Sequence, residues 1–135
     1  MPPIYLLDTN AISDLMADHP RAQAKVASQP GLLVTSVIVR GEILYGLERL
    51  PAGKRRANLK AKADLVLAGV PCEPVSEPAA NRYALIRRAV ENLGLTLDDN
   101  DLWIAATVLT MRAVLVTRDK DFGRVPGLQV EDWTL

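Results

Sequence analysis

The stretch "DLWIAATVLTMRAVLVTRDKDF", residues 101–122, changes its period half-way along. Residues 101–112 read as a helix, and Ala113 to Thr117 form a short apolar, β-branched run of strand length that stops at Arg118 and Asp119. A second run of this kind, Ile4-Tyr5-Leu6-Leu7, stops at Asp8, and Pro2 and Pro3 exclude an earlier helix. Both strand candidates thus deliver an aspartate at or just past the carboxyl end.

The rest of the chain alternates in the same way. Thr9 or Asn10 is expected to cap a helix through "AISDLMA", in which Ile12, Leu15 and Met16 recur at helical spacing, and a second short helix follows Pro20. Pro30-Gly31 breaks the pattern, "LLVTS" resumes as a strand, and Thr35 or Ser36 caps the helix "VIVRGEILYGLERL" with Val39, Ile43, Leu47 and Leu50 as its inward stripe. "KRRANLKAKADLVLAG" is helical, "PCEPV" is a short edge-type strand, Pro78 to Asn92 is a further helix, and "LQVEDW" holds a final short strand. This order predicts an α/β sandwich with a mainly parallel central sheet flanked by helices, and a ligand site beyond the carboxyl ends of its strands.

Composition narrows the function. At 135 residues, with no repeat and no Gly/Ser-rich linker, residues 1–135 are expected to form a single domain. Sixteen basic and sixteen acidic side chains cancel, so no whole-molecule positive field draws in nucleic acid and any such contact must be local. Cys72 is the only cysteine, which excludes an intramolecular disulfide and a cysteine-based zinc cage. No apolar run approaches ~18 residues, and the N-terminal "MPPIYLLDTN" meets an aspartate before a secretory core could form, so a cytoplasmic protein without a membrane span is expected.

The strand order brings acids together. Asp8 and Asp119 face one crevice if their strands are parallel, Asp101 opens the helix that leads into the second strand, and Glu42 lies early in the helix after "LLVTS". Four clustered carboxylates repel one another unless a cation joins them. An all-oxygen set without His or Cys suits Mg²⁺, with Mn²⁺ as substitute, and such a site can activate water for attack on phosphorus.

Three pieces, "LLDTNAIS", "TSVIVRGEILYGLERL" and "NDLWIAATVLTMRAVLVTRDKDFGRVPGLQVEDW", resemble the PIN-domain nucleases, in particular the VapC-type toxins of toxin–antitoxin pairs, in the family's order and spacing. The resemblance implies a three-layer PIN sandwich and a Mg²⁺-dependent endoribonuclease. It matches Asp8, Glu42, Asp101 and Asp119 to the family's four acidic positions, as catalytic and metal-binding residues, with Asp121 a neighbouring alternative for the fourth. Asn10 and Thr117 match its accessory polar positions. It further implies an RNA substrate, a homodimer, and a VapB-type antitoxin that threads a C-terminal segment into the acidic groove within a hetero-oligomer.

Plainer roles compete for the same residues. Asp8 serves equally as a turn or cap residue, and Asp98 as N-cap with Asp101 three positions on makes a capping-box-like arrangement that accounts for Asp98 and Asp99 without any chemistry. His19 reads as a solvated loop residue, Trp103 and Trp133 as core, and Lys54, Arg55, Arg56, Lys60 and Lys62 as a solvated helix face or a local RNA or partner contact. Two other classes are a phosphoaspartyl phosphatase or receiver-like domain, disfavoured because Thr9 and Asn10 follow Asp8 where a second acid belongs, and a non-catalytic binding module on the same fold.

Overall fold

The computed structural model describes residues 2–135. The elements run β1 (Ile4–Leu7), α1 (Thr9–Met16), α2 (Pro20–Ser28), β2 (Leu32–Ser36), α3 (Val37–Glu48), α4 (Lys54–Ala68), β3 (Cys72–Glu73), α5 (Glu77–Asn92), α6 (Asp99–Met111), β4 (Val114–Val116), a 3₁₀ turn (Lys120–Arg124) and β5 (Val130–Glu131). The strands form one five-stranded sheet in the order β3-β2-β1-β4-β5, and every described pairing is parallel. The expected α/β sandwich is therefore what the chain adopts.

The sheet centre is apolar on both faces because parallel strands are covered twice. Leu6, Leu7, Leu115, Val116 and Val34 are buried, together with Ile12, Ile104 and Phe122 from the flanking segments. Helix α1 packs on α3 and α4, and α5 packs on α6. Within α3 the stripe Val39, Ile43 and Leu47 is buried as its spacing requires, with Leu50 half-buried beyond the helix end. Trp133 is buried and its ring lies 5.2 Å from that of Tyr5 at 60°.

Local chemistry explains most boundaries. Ser36, not Thr35, caps α3 by accepting from the Val39 amide, while Thr35 turns to the neighbouring strand and donates to the Leu7 carbonyl at 2.8 Å. Ser76 caps α5, so this helix starts at Glu77, one residue before Pro78. Asp98 caps α6 by accepting from the Asp101 amide at 2.9 Å. The outer strands β3 and β5 keep only two residues each of the longer runs "PCEPV" and "LQVEDW", because each has a single neighbour to pair with.

Three expectations are corrected. Thr9 and Asn10 are the first two residues of α1, and Asp8 holds the cap position, with its side chain free of capping because Thr117 claims it. His19 is not a freely solvated loop residue: its Nδ1 accepts from the Ala22 amide at 3.3 Å and caps α2. Trp103 is only half-buried, lying flat against Tyr83 with ring centroids 3.8 Å apart, because it points at α5 and away from the sheet. The basic face of α4 is solvated as expected, and three of its members pair locally: Arg56 with Glu48, Lys60 with Asp64 and Lys62 with Asp18.

Candidate active site

In this strand order the chain leaves β1 toward β2 on one side and returns through α5 and α6 to β4 on the other. The β1/β4 border is thus the switch point of the sheet, where an open parallel sheet leaves a crevice at its carboxyl edge. Asp8 stands at the end of β1 and Thr117 at the end of β4, side by side across that border. An open cleft of about 410 Å³ lies there, bordered by Asp8, Thr9, Glu42, Asp98, Asp101 and Asp119 among others.

Each acid is held by a different element. Asp8 is 5% exposed, and its Oδ2 accepts from the Thr117 hydroxyl at 2.9 Å. Thr117 Oγ1 in turn accepts from Asn10 Nδ2 at 2.9 Å and from the Asp119 amide at 3.0 Å. Asn10 completes the frame by accepting from the Arg118 amide through its Oδ1 at 2.9 Å. Glu42, in the middle of α3, accepts from the Thr9 hydroxyl at 2.5 Å. Asp101 rides on the first turn of α6, its amide committed to Asp98 and its carboxylate facing the cleft.

The electrostatics agree with this convergence. Burial pushes the Asp101 carboxyl up to about 7, and the charges of Asp98, Asp8, Asp119 and Glu42 push it the same way. Asp8 is also raised, first by burial; the Thr9 amide and Thr117 hydroxyl pull it back, and Glu42 and Asp119 add to the rise. Four carboxylates from four parts of the chain therefore sense one another across one space.

Among the described residues, no three His, Cys, Asp or Glu side chains stand close enough to form a ready-made cage. Mg²⁺ does not require one, since it keeps several of its waters and takes one or two carboxylates directly. An open, all-oxygen cleft in which like charge is already costly fits such an ion.

Of the residues expected from sequence, Asp8, Glu42, Asp101, Asp119 and Asn10 border the cleft, and Thr117 supports it from below. Asp121 does not border it: its amide donates to Asp119 Oδ1 at 2.9 Å and its side chain is exposed. Four further residues, which the sequence does not assign to the site although Thr9 and Asp98 read as caps, border the same space. Thr9 fixes Glu42, Ser13 lies one turn along α1, Asp98 adds charge beside Asp101 as well as capping, and Arg118 is the sole cation there among the described residues. Only the pattern D-T-N after a strand hinted at Thr9.

A family model for the PIN domain matches residues 5–128. The chain belongs to the PIN-domain family. Among curated relatives it is 33% identical to ribonuclease VapC1 of Haemophilus influenzae (strain R2866), over 97% of this chain and 98% of that protein. It is 30% identical to ribonuclease VapC2 of Rickettsia felis, over 96% and 98%. Among solved structures, VapBC-1 from nontypeable Haemophilus influenzae superposes with a TM-score of 0.83 at 32% identity, over 98% of this chain and 99% of the other. This PIN domain is therefore of the VapC toxin type, and its switch-point cleft is bordered by Asp8, Glu42, Asp101 and Asp119.

Proposed function

We propose that the chain is a divalent-metal-dependent endoribonuclease, the toxin of a VapBC-type toxin–antitoxin pair. The observation that carries this reading is the meeting of Asp8, Glu42, Asp101 and Asp119, from four separate elements, on one open cleft at the β1/β4 switch point. The relatives' names, ribonucleases of the VapC group, support the same chemistry. Asp8 and Asp101 are the principal ligands for Mg²⁺ or Mn²⁺, and Glu42 and Asp119 complete the pocket or orient water. When bound, the ion supplies Lewis acidity toward a phosphate oxygen and lowers the pKa of water at the scissile bond.

The protein's own contribution is order. Thr117 holds one Asp8 oxygen, so the other is presented toward the cleft, and Thr9 does the same for Glu42. Asn10 ties the loop after β4 to α1, which keeps Asp119 opposite Asp8. Such preorganisation limits the reorganisation needed when RNA arrives. The solved VapBC2 of Rickettsia felis, bound to a DNA fragment from its promoter, and VapBC-1 of Haemophilus influenzae support a cognate VapB-type antitoxin; a toxin homodimer inside a hetero-oligomer is what the family resemblance implies.

The test is cleavage of cellular RNA by purified protein freed of any partner. Cleavage should require Mg²⁺ or Mn²⁺, stop with chelator, and fall by about 100-fold or more in Asp8→Asn and in Asp101→Asn. Cleavage in chelator, or full activity in both variants, overturns the mechanism. A saturable Mg²⁺-dependent adduct with beryllium fluoride would instead favour a phosphoaspartyl enzyme, and RNA binding without cleavage a non-catalytic module.

A further inference from the structure

The cleft border holds five carboxylates, Asp8, Glu42, Asp98, Asp101 and Asp119, and one cation, Arg118. An RNA strand brings further negative charge to this space, and one divalent ion offsets only part of it. Something beside the metal must draw the phosphodiester chain in. Arg118 is built for that task. Its Nε and one terminal nitrogen donate to the two oxygens of Asp14 at 2.9 and 3.1 Å, a side-on paired geometry. Its own amide is fixed by Asn10 at 2.9 Å, so backbone and head group are both anchored to α1.

The pairing leaves donors free. A guanidinium has five N–H groups, and Asp14 takes two along the Nε side, leaving three, two of them paired on the end edge. The side chain of Asp14 is only 14% exposed, whereas that of Arg118 is 49% exposed, so the anion is covered and the cation faces water. A solvated surface pair would have neither feature, since both partners would be free to move. Asp119, on the neighbouring backbone position, is one of the expected metal ligands, and Arg118 borders the same cleft, with the charge of Asp132 as well as Asp14 acting on its head group.

We propose that Arg118 is a substrate-positioning residue that binds a backbone phosphate next to the scissile one, with Asp14 holding its guanidinium in the required orientation. This rests on the ribonuclease reading above. The contact is made to phosphate and not to a base, so it contributes affinity and register without sequence preference.

The test separates this from a purely structural staple between α1 and the loop after β4. Arg118→Gln, Arg118→Lys and Asp14→Asn are compared with wild type in Mg²⁺-dependent cleavage of cellular RNA. Binding of a labelled, mixed-sequence single-stranded RNA is measured in the Asp101→Asn background across a salt series. Arg118→Gln should raise KM about tenfold with kcat within about threefold, and lower the slope of log affinity against log salt by about 0.7, the value for one single-strand phosphate contact. Arg118→Lys should recover the salt slope and part of KM, and Asp14→Asn should raise KM less than Arg118→Gln does. Loss of kcat alone in both Arg118→Gln and Asp14→Asn, with an unchanged salt slope, overturns the proposal in favour of a staple. Unchanged KM and slope in Arg118→Gln, while wild type cleaves, also overturns it and leaves the ribonuclease reading standing. Absence of cleavage by wild type strikes the ribonuclease reading itself.

Discussion

Thr117, the residue that follows β4, donates its hydroxyl to Oδ2 of Asp8, the residue that follows β1, at 2.9 Å. The two are 109 residues apart in the chain, and the bond exists only because β1 and β4 are parallel neighbours with Leu7 opposite Val116. Thr117 is itself buried, so the acid and its donor are removed from water together.

Thr117→Val keeps the shape and removes the hydroxyl. The variant leaves Asp8 without its side-chain donor, and Asn10 and the Asp119 amide without their acceptor. A loss of about 1–3 kcal/mol in urea unfolding at neutral pH is expected, with reduced Mg²⁺-dependent cleavage, and Thr117→Ser should recover most of both. A variant as stable and as active as wild type would show that the hydroxyl is dispensable.

Stability should depend on pH through Asp101. In the native state its carboxyl holds a proton up to about 7, whereas its ordinary value is 3.8. Between those values the native state binds more protons than the unfolded chain, so stability is full below the lower value and falls as pH rises toward the upper one. Asp8 is shifted in the same direction and adds to the trend. In metal-free buffer the urea midpoint should therefore drop between about pH 4 and about pH 7, and Asp101→Asn should flatten the slope and stabilise the protein near neutrality by on the order of 1 kcal/mol after solvent screening. A midpoint that climbs over this range in wild type contradicts the assignment.

Mg²⁺ should reverse that trend. Metal binding needs the carboxylates deprotonated, so the thermal shift produced by a fixed Mg²⁺ concentration should grow with pH through the same window and vanish in Asp101→Asn. A shift independent of pH would place the ion elsewhere.

Asp119 and Asp121 can be told apart by activity. Asp119 borders the cleft and its charge reaches both Asp8 and Asp101, whereas Asp121 lends only its backbone amide to Asp119. Asp119→Asn should lower cleavage by about tenfold or more, and Asp121→Asn should leave it within about twofold. Equal losses in both variants would remove the distinction.

Gly31 offers a control far from the chemistry. A Cβ there would stand 2.5 Å from the Pro3 carbonyl oxygen and 2.6 Å from the Tyr5 ring, at the point where β2 comes alongside β1. Gly31→Ala should destabilise by about 1–3 kcal/mol without changing the metal requirement of the folded fraction, as read by chemical unfolding and by cleavage per folded molecule.

Element type was legible in the chain because it is local. Short apolar runs ending on Asp8 and before Asp119, and 3.6-residue spacing in "VIVRGEILYGLERL", required no partner to be recognised. The edge strands were less so: two of five residues in "PCEPV" pair, because pairing depends on a neighbour that the run itself does not encode. The cap of α2 was missed, and Asp8 stood only as an alternative to Thr9 or Asn10 for α1, because side chains there answer to distant or unexpected partners, Thr117 for Asp8 and the Ala22 amide for His19.

By itself, the sequence determined the alternation of strands and helices, the positions of the four acids relative to strand ends, and the exclusion of an intramolecular disulfide and a cysteine-based zinc cage, since each follows from residue type and spacing along the chain. Only the tertiary structure decided the rest. It made β1 and β4 neighbours, put Asp119 rather than Asp121 on the cleft, brought Thr9 to Glu42, and set Asp14 under Arg118. The physical reason is that a hydrogen bond or charge coupling acts over a few ångströms of space, and residues 33, 104 or 109 positions apart come within that reach only after the sheet has closed its order.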